Sequence, residues 1–270
     1  MREHPAAISL ERRSDGSAVA LFDGCELMSA FQPIWAFPAT DKRPQPVAAV
    51  AYEGLLRVVG ERGEVSPKAF LSGLVPDMRA RVETVSRALH LINAAVSLPE
   101  EALVFVNIDP SLVDGPRAVA RILREMRLAL RESELPAARV VCELTEQPAG
   151  SDAALAELAA ALRVQGHRIA VDDYGAQASD AARVDLVGPD IVKFDADWIR
   201  RHMDSPAGFA LLVDLVERLA ARDIATVFEG MEEGWQIELA ERAGATMVQG
   251  YGLARPAIAA ARDRGAVPRR

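Results

Sequence analysis

The stretches Leu103-Val-Phe-Val-Asn107 and Val140-Val-Cys-Glu143 decide the fold, because each is an unbroken apolar run that ends in a polar side chain. A continuous apolar run of this length is typical of a strand covered on both faces, as in a parallel sheet. Similar runs alternate along the chain with alanine-rich segments of helical spacing. The sequence therefore predicts strands at residues 27–34, 47–52, 103–108, 139–144, 168–172, 190–194, 225–229 and 246–250, and helices at residues 82–97, 116–132, 152–165, 206–222 and 233–243.

This order of elements predicts an α/β protein with a (β/α)8 barrel, since strands that alternate with helices form parallel sheets. The first two strands have no clear helix between them, so we expect an irregular start to the barrel. A chain of 270 residues, half of them hydrophobic, is sufficient for one large domain. We expect a peripheral N-terminal segment at residues 1–20, a barrel domain at residues 21–258 and a C-terminal tail at residues 259–270.

Composition excludes several classes of protein. The net charge of -8 predicts no basic surface for a long nucleic acid. Two cysteines cannot form a disulfide scaffold, and their scarcity suggests a reducing compartment. The polar N-terminus lacks the apolar core of a signal peptide, and no apolar run is long enough to cross a membrane. We therefore expect a cytoplasmic protein that contacts neither membrane nor long nucleic acid.

Polar residues stand where seven successive apolar runs stop. A lone acid in such a place is most often a solvated loop residue or a helix cap. In a barrel, however, the carboxyl ends of the strands converge on one face, which is where active sites lie. We expect this face to gather Glu53, Asn107, Glu143, Asp172, Asp173, Lys193, Glu229 and Gln249.

Carboxylates gathered at one mouth repel one another unless cations lie among them. Glutamate, aspartate and asparagine oxygens favour hard ions such as Mg²⁺ or Mn²⁺. There are more acids than one Mg²⁺ normally uses, so we expect two ions that share an aspartate. Two metal ions about 3.5–4 Å apart suit in-line hydrolysis of a phosphoester. Lys193 would add positive charge near the attacked phosphate or the nucleophilic water.

Eight short motifs, in order, closely resemble the EAL-domain family of cyclic di-GMP phosphodiesterases, from about Leu27 to Pro256. Tyr52-Glu-Gly-Leu-Leu-Arg57 is similar to the signature YEALLR, with Gly54 in place of alanine. The others are Phe31-Gln-Pro-Ile34, Phe105-Val-Asn-Ile-Asp-Pro110, Glu143-Leu-Thr-Glu146, Asp172-Asp-Tyr-Gly175, Asp190-Ile-Val-Lys-Phe-Asp195, Glu229-Gly-Met-Glu232 and Val248-Gln-Gly-Tyr251.

The resemblance implies a TIM-type barrel with one irregular antiparallel strand, and hydrolysis of cyclic di-GMP to linear pGpG. It implies that one metal ion is held by Glu53, Asn107, Glu143 and Asp172. Asp172 would bridge to the second ion, with Asp173 as a further ligand.

The remaining roles also come from the resemblance. Glu229 would lie by the second ion as the leading general-base candidate. Lys193 would orient or stabilise the attacking water, and Gln249 would support the water or the metal shell. Leu55 and Arg57 would contact the substrate, Arg57 at a phosphate. The family often forms homodimers, and Glu146 matches the position that braces the loop after Asp173.

Departures from the family pattern leave other functions open. Gln177 replaces a glycine in the loop after Asp173, and Glu233 replaces a threonine. Neither change removes a predicted metal ligand, but both bear on turnover and dimer coupling. The alternatives are a receptor that binds cyclic di-GMP with little turnover, and a protein-interaction regulator without nucleotide binding. An unidentified regulatory protein stays open as a partner.

Overall fold

A computed structural model of the chain describes residues 7–37, 48–145, 147–176 and 180–260. Its strands lie in one sheet of twelve. They are β1 (Ser9–Arg12), β2 (Ala18–Phe22), β3 (Cys25–Ala36), β4 (Ala48–Gly60), β5 (Gly63–Val65), β6 (Leu103–Ile108), β7 (Val140–Leu144), β8 (Arg168–Tyr174), β9 (Ile191–Phe194), β10 (Ala225–Phe228), β11 (Met247–Val248) and β12 (Ala257–Ile258).

Helices cover the outside of this sheet, and several begin at a proline or at a side-chain cap, which are common helix starts. None of those in the described ranges is long and apolar enough to cross a lipid bilayer. They are α1 (Pro67–Ser72), α2 (Pro76–Ser97), α3 (Pro116–Ser133), α4 (Asp152–Val164), α5 (Asp180–Val187), α6 (Ala196–Met203), α7 (Pro206–Ala220) and α8 (Gly234–Arg242), with 3-10 turns at Pro110–Leu112 and Ala137–Arg139.

Eight of the strands close into a barrel, which confirms the predicted fold. The order around the barrel is β3, β11, β10, β9, β8, β7, β6 and β4, and β4 pairs again with β3. β3 runs antiparallel to both of its barrel neighbours, whereas the other pairs are parallel. The sequence predicts an irregular start to the barrel, because no clear helix separates the first two predicted strands. The reversed strand β3 is this irregularity.

The N-terminal hairpin extends the sheet beyond the barrel. β1 pairs with β2, and β2 continues antiparallel onto β3. Ala18 and Ala20 are buried in a small core between this hairpin and α2. The division into segments at residues 1–20, 21–258 and 259–270 stays a prediction, and the structure places ordered strands within the first of them.

Gly54 on β4 lies against the His90 ring of α2, which leaves no room for a side chain at this position. A Cβ atom built on Gly54 would lie 2.9 Å from His90 Cγ, closer than real Cβ contacts. His90 is buried, and burial lowers its pKa to about 3, so its ring is neutral. Its Nδ1 lies 2.8 Å from Ser29 Oγ, which also accepts a hydrogen bond from Asn93 Nδ2. The His90 ring thus fills the space that the methyl group of an alanine at this position of the YEALLR motif would need.

We expect Gly54→Ala to lower the free energy of unfolding by about 1 kcal/mol. Overpacking a core costs about 1–3 kcal/mol, more than the roughly 0.5–1 kcal/mol that a strand gains when alanine replaces glycine. Urea unfolding would measure the change. Gly60→Ala is the matched control on the same strand, since its Cβ would lie at an ordinary 3.6 Å from Cys25 Sγ. Equal effects of the two substitutions would contradict the packing argument.

Candidate active site

A layer of polar side chains lies directly above an apolar layer inside the barrel. The apolar layer takes one buried residue from each barrel strand: Ile34, Ala51, Phe105, Val141, Ala170, Ile191, Val227 and Met247. Side chains two residues apart on a strand share a face. The next inward positions toward the carboxyl ends of the seven parallel strands, and two residues back on the reversed β3, are therefore Glu53, Asn107, Glu143, Asp172, Lys193, Glu229, Gln249 and Gln32.

Lys193 is the centre of this layer. Its side chain is 1% exposed, and its Nζ contacts four carboxylates. The closest contact is with Glu143, a hydrogen bond and ion pair. Nζ lies 2.6 Å from Glu229 Oε1, 3.2 Å from Asp172 Oδ1 and 3.3 Å from Glu53 Oε2. One ammonium charge thus faces four carboxyl groups that β4, β7 and β8 and the end of β10 bring together.

Burial and mutual repulsion shift the pKa values of this cluster. The pKa of Lys193 stands well above its ordinary value: burial lowers it, and the charges of Asp172, Glu143, Glu229 and Glu53 raise it by more. Burial, and then the charge of Asp172, raise the pKa of Glu143 well above its ordinary value. Burial also raises the pKa of Glu229 to about 8, although Lys193 opposes that shift. The cluster therefore holds fewer negative charges than its four carboxyl groups would carry in water.

Several oxygens of the layer are suited to a metal ion. Oxygen atoms of Glu143, Asp172 and Glu229 lie within 4.8 Å of one another. Among the residues that the structure describes, Glu143 Oε2, Asp172 Oδ1, Asn107 Oδ1 and Gln249 Oε1 are buried and have no hydrogen-bond partner. Asp172 Oδ1 keeps only the ion-pair contact with Lys193. Unpartnered carboxylate and amide oxygens are the donor set of hard divalent cations, so these residues fit Mg²⁺ or Mn²⁺.

A bulge in β8 contains the two neighbouring aspartates Asp172 and Asp173. The pairing with β9 shifts between Val171 and Tyr174, so Asp172 and Asp173 together face the single residue Lys193. A bulge of this kind re-aims side chains and is common beside active sites. Asp173 has a left-handed φ of 53°, a conformation that non-glycine residues rarely adopt. Asp172 lies in the Lys193 cluster, and Asp173 lies next to it in the bulge.

Two cavities open on this face of the barrel. The acidic cavity, about 280 Å³, is lined by Glu53, Asp172, Lys193 and Glu229. The arginine cavity, about 580 Å³, is lined by Arg57 and Asn107, together with Arg79 and Arg87. Leu55 lines both cavities. β4 pairs with β6 as far as Glu53 and then continues for seven more residues to Gly60, so it carries both Leu55 and Arg57 above the polar layer.

The structure brings most of the predicted residues together. Gln249 donates from Nε2 to Glu53 Oε2 at 2.8 Å and so joins the cluster. Asn107 is paired with Glu143 across β6 and β7 but lines the arginine cavity. Arg57 lines that cavity too, and its guanidinium donates to Leu56 O at 2.9 Å. Glu146 and Gln177 lie outside the described residues, so their predicted effects on the loop stay predictions.

Sequence reasoning missed Gln32. It is 7% exposed, lines the acidic cavity, and donates from Nε2 to Ala254 O at 3.2 Å. It pairs directly with Glu53 across β3 and β4. The pattern of polar residues at strand ends could not find it, because β3 is reversed and Gln32 lies in mid-strand. Its position two residues before the inward Ile34 is the signal that would have indicated it.

Comparisons with known proteins agree with this geometry. A family model described as EAL domain matches residues 18–256. YkuI of Bacillus subtilis, described as an uncharacterized EAL-domain containing protein, is 28% identical over 215 residues, 77% of this chain and 51% of that protein. RocR of Pseudomonas aeruginosa, described as a cyclic di-GMP phosphodiesterase, is 30% identical over 151 residues, 56% of this chain and 38% of that protein.

The crystal structure of YkuI with cyclic di-GMP and calcium matches with a TM-score of 0.71 and 24% identity, covering 86% of this chain and 56% of that one. At this identity the likeness supports the fold. The chain spans about half of YkuI and 38% of RocR.

Removing the central ammonium should destabilise the metal-free protein. Lys193→Met leaves buried carboxylates without their cation, and breaking a buried charge pair costs about 3–5 kcal/mol. Urea unfolding with a chelator present would measure the loss, and Mn²⁺ should restore part of it. Lys68→Met, at an exposed lysine, is the control. An unchanged free energy of unfolding would show that the cluster does not depend on Lys193.

Stability of the metal-free protein should also depend on Glu229. Its pKa in the folded protein, about 8, lies above the ordinary value of 4.5. Its contribution is therefore fully present below pH 4.5 and is lost as the pH rises through 8. With a chelator present, we expect the melting temperature to fall over this range, and Glu229→Gln to flatten the fall. Glu157→Gln, at an exposed carboxylate on α4, should keep the wild-type slope. Parallel profiles for both variants would refute the assignment.

Proposed function

This chain belongs to the EAL domain family, and we propose that it is a metal-dependent phosphodiesterase that hydrolyses cyclic di-GMP to linear pGpG. The observation that carries the proposal is the cluster of four carboxyl groups around Lys193 at the carboxyl ends of the barrel strands. RocR, which is similar to this chain, is described as a cyclic di-GMP phosphodiesterase, and that description supports cyclic di-GMP as the substrate here.

Two divalent ions, Mg²⁺ or Mn²⁺, fit the proposal. Glu53, Asn107, Glu143 and Asp172 would hold the first, and Asp172 and Asp173 the second, with Glu229 beside it. The buried oxygens of Glu143, Asp172 and Asn107 that have no hydrogen-bond partner among the described residues support this assignment. The chemistry that such ions supply is polarisation of the phosphoester and a lower pKa of water.

Side chains of this protein would accept the proton that the attacking water loses. Glu229 is the general-base candidate, because bound divalent cations would lower the raised pKa of its carboxyl group and so keep it ionised at neutral pH. Glu229 would take a proton from water at Oε1 or Oε2 as the water oxygen bonds to phosphorus. The phosphorus–O3′ bond breaks, the proton taken up by Glu229 is returned through solvent to the 3′ oxygen, and a linear dinucleotide with a 5′ phosphate results. Lys193, 2.6 Å from Glu229 Oε1, would hold that carboxylate and the water in place.

Other groups would position the substrate. Gln249 fixes the orientation of Glu53 through its 2.8 Å hydrogen bond. Leu55 lies between the two cavities, so a dinucleotide too large for the acidic cavity would extend across it. Arg57, in the arginine cavity, would bind a phosphate. The homodimer stays a prediction that light scattering of the purified chain would test.

The activity is tested by incubating the chain with cyclic di-GMP and either Mg²⁺ or Mn²⁺, with a chelator as the blank, and separating the products by chromatography. We expect metal-dependent formation of pGpG. Glu53→Gln should lower turnover by at least about 100-fold, since even outer partners of metal ligands cost about 10–100-fold. Glu157→Gln is the matched control and should retain wild-type turnover.

Either of two other results would contradict the proposed phosphodiesterase activity and indicate a different function. Tight binding of cyclic di-GMP without pGpG would identify a receptor. No measurable affinity for the dinucleotide, with or without metal, would favour a protein-interaction regulator.

A further inference from the structure

Helix α6 begins between the two loops that carry the acids proposed to lie at the second metal ion. Asp173 is in the bulge of β8, two residues before Gly175, and Glu229 directly precedes Gly230 after β10. Both glycines have a left-handed φ, 103° at Gly175 and 68° at Gly230. Glycine adopts such values freely, whereas other residues rarely do. The backbone therefore turns sharply just after each of the two acids.

Each of these glycines lies directly against a residue of α6. A Cβ atom on Gly175 would overlap the indole ring of Trp198, and a Cβ atom on Gly230 would overlap Ala196 Cβ. No side chain larger than a hydrogen atom fits at either place unless α6 shifts. The first turn of α6 thus sets how closely both loops can approach it.

Main-chain hydrogen bonds attach the same two loops to the residues that lead into α6. Asp195 N donates to Tyr174 O at 3.1 Å, and Glu229 N donates to Phe194 O at 3.3 Å. The side chain of Asp195 caps the helix, since its Oδ1 accepts from Trp198 N at 2.8 Å. These contacts connect the start of the helix to the bulge of β8 and to the end of β10.

Aromatic neighbours hold the Trp198 ring in one orientation. The ring stacks on Phe194, with centroids 5.7 Å apart and an interplanar angle of 25°. Tyr174 meets it edge-on at 6.2 Å, and the His202 ring lies at 3.9 Å. His202 Nδ1 also lies 2.8 Å from Trp198 O. A ring packed in this way moves little, so it can hold the turn at Gly175 in place.

The backbone of Asp173 needs such support. Its left-handed φ of 53° is unfavourable for a residue with a side chain, and such conformations persist only where the surrounding structure imposes them. A hydrogen bond from Ala176 N to Asp173 O at 3.1 Å closes the turn that starts at Asp173. Gly175 lies within this turn and against Trp198. The indole ring is therefore one of the groups that fix the backbone next to Asp173.

We propose that Trp198 is a positioning residue for the second metal ion, an inference that rests on the proposed function. Its ring holds the turn from Asp173 to Gly175 against α6 and so keeps Asp173 beside Asp172. The other ligands proposed for the first ion lie on β4, β6 and β7. Loss of the ring therefore weakens the second metal site and leaves the first.

The test measures binding of Mn²⁺ to the substrate-free protein, by following free Mn²⁺ in an electron paramagnetic resonance titration. The wild type should bind two ions per chain. Trp198→Ala should weaken the second ion by about 10- to 100-fold, the usual effect of losing an outer partner of a metal ligand, and keep the wild-type affinity for the first. Trp198→Phe should recover most of the loss, because it keeps an aromatic ring at this position. Trp235→Ala, at an exposed tryptophan on α8, is the matched control.

The ratio of the two Mn²⁺ affinities separates positioning of the second ion from general support of the fold. Urea unfolding would show how much stability each variant loses. If Trp198→Ala lowers the free energy of unfolding but keeps the wild-type ratio of affinities, Trp198 supports only the fold and the inference fails. The inference also fails if Trp198→Ala weakens both ions equally.

Gly175→Ala tests the contact itself. The added methyl group would overlap the indole ring, so this variant should also weaken the second ion. Because both substitutions break the same contact, the double variant with Trp198→Ala should lose less binding free energy than the sum of the two single losses. Additive losses would show that the two residues act independently and would overturn the inference.

The behaviour of the wild type separates this inference from the proposed function. A wild type that binds two ions but forms no pGpG would refute the phosphodiesterase, while the ratio of affinities would still test Trp198. A wild type that binds at most one ion would refute both the two-metal proposal and this inference.

Discussion

The ion cluster around the Lys193 ammonium is the interaction on which the rest of this site depends. Its four carboxyl partners lie in a barrel whose next layer is apolar, and only their outer side meets the acidic cavity, so water screens their mutual repulsion weakly. At the effective dielectric of about 20 that suits protein sites, two unit charges 4 Å apart interact by about 4 kcal/mol. One ammonium cannot balance four ionised carboxylates. The cluster must take up protons, as the raised pKa values of Glu143 and Glu229 show, or gain further cations.

The barrel supplies the rigidity that keeps such a cluster together. Phe105, Val141 and Val227 fill the layer beneath it and are fully buried. Burial of apolar surface is the main stabilising term in folding, and it offsets the unfavourable gathering of like charges. A close-packed interior deforms little, so the acids cannot move apart to relieve their repulsion. Bound cations would relieve this repulsion. The packing of the barrel therefore favours the metal binding on which the proposed chemistry depends.

The sequence predicts this site well where strands are parallel and poorly elsewhere. Glu143 and Lys193 could be found because each directly ends an apolar run and all such ends meet on one face. Gln32 could not, because β3 reaches the same level from its other direction. The helices α5 and α6 escaped prediction because eight residues give too few turns for a clear period. The bulge at Asp172 and Asp173 depends on pairing with β9, which no local pattern encodes.

Gly54 shows how a departure from a family motif can be neutral for the site beside it. The missing methyl group would weaken packing next to Glu53, but the His90 ring occupies that space. His90 is in turn held by Ser29, and Asn93 connects Ser29 to the backbone of Ala18. The N-terminal hairpin is thus joined through buried hydrogen bonds to the histidine that packs against the strand that carries Glu53. Because these groups are buried and paired, losing any one of them would leave a polar atom without a partner, which is costly in a core. The glycine and its surroundings therefore form one coupled unit that keeps β4 in place beside the proposed metal ligands.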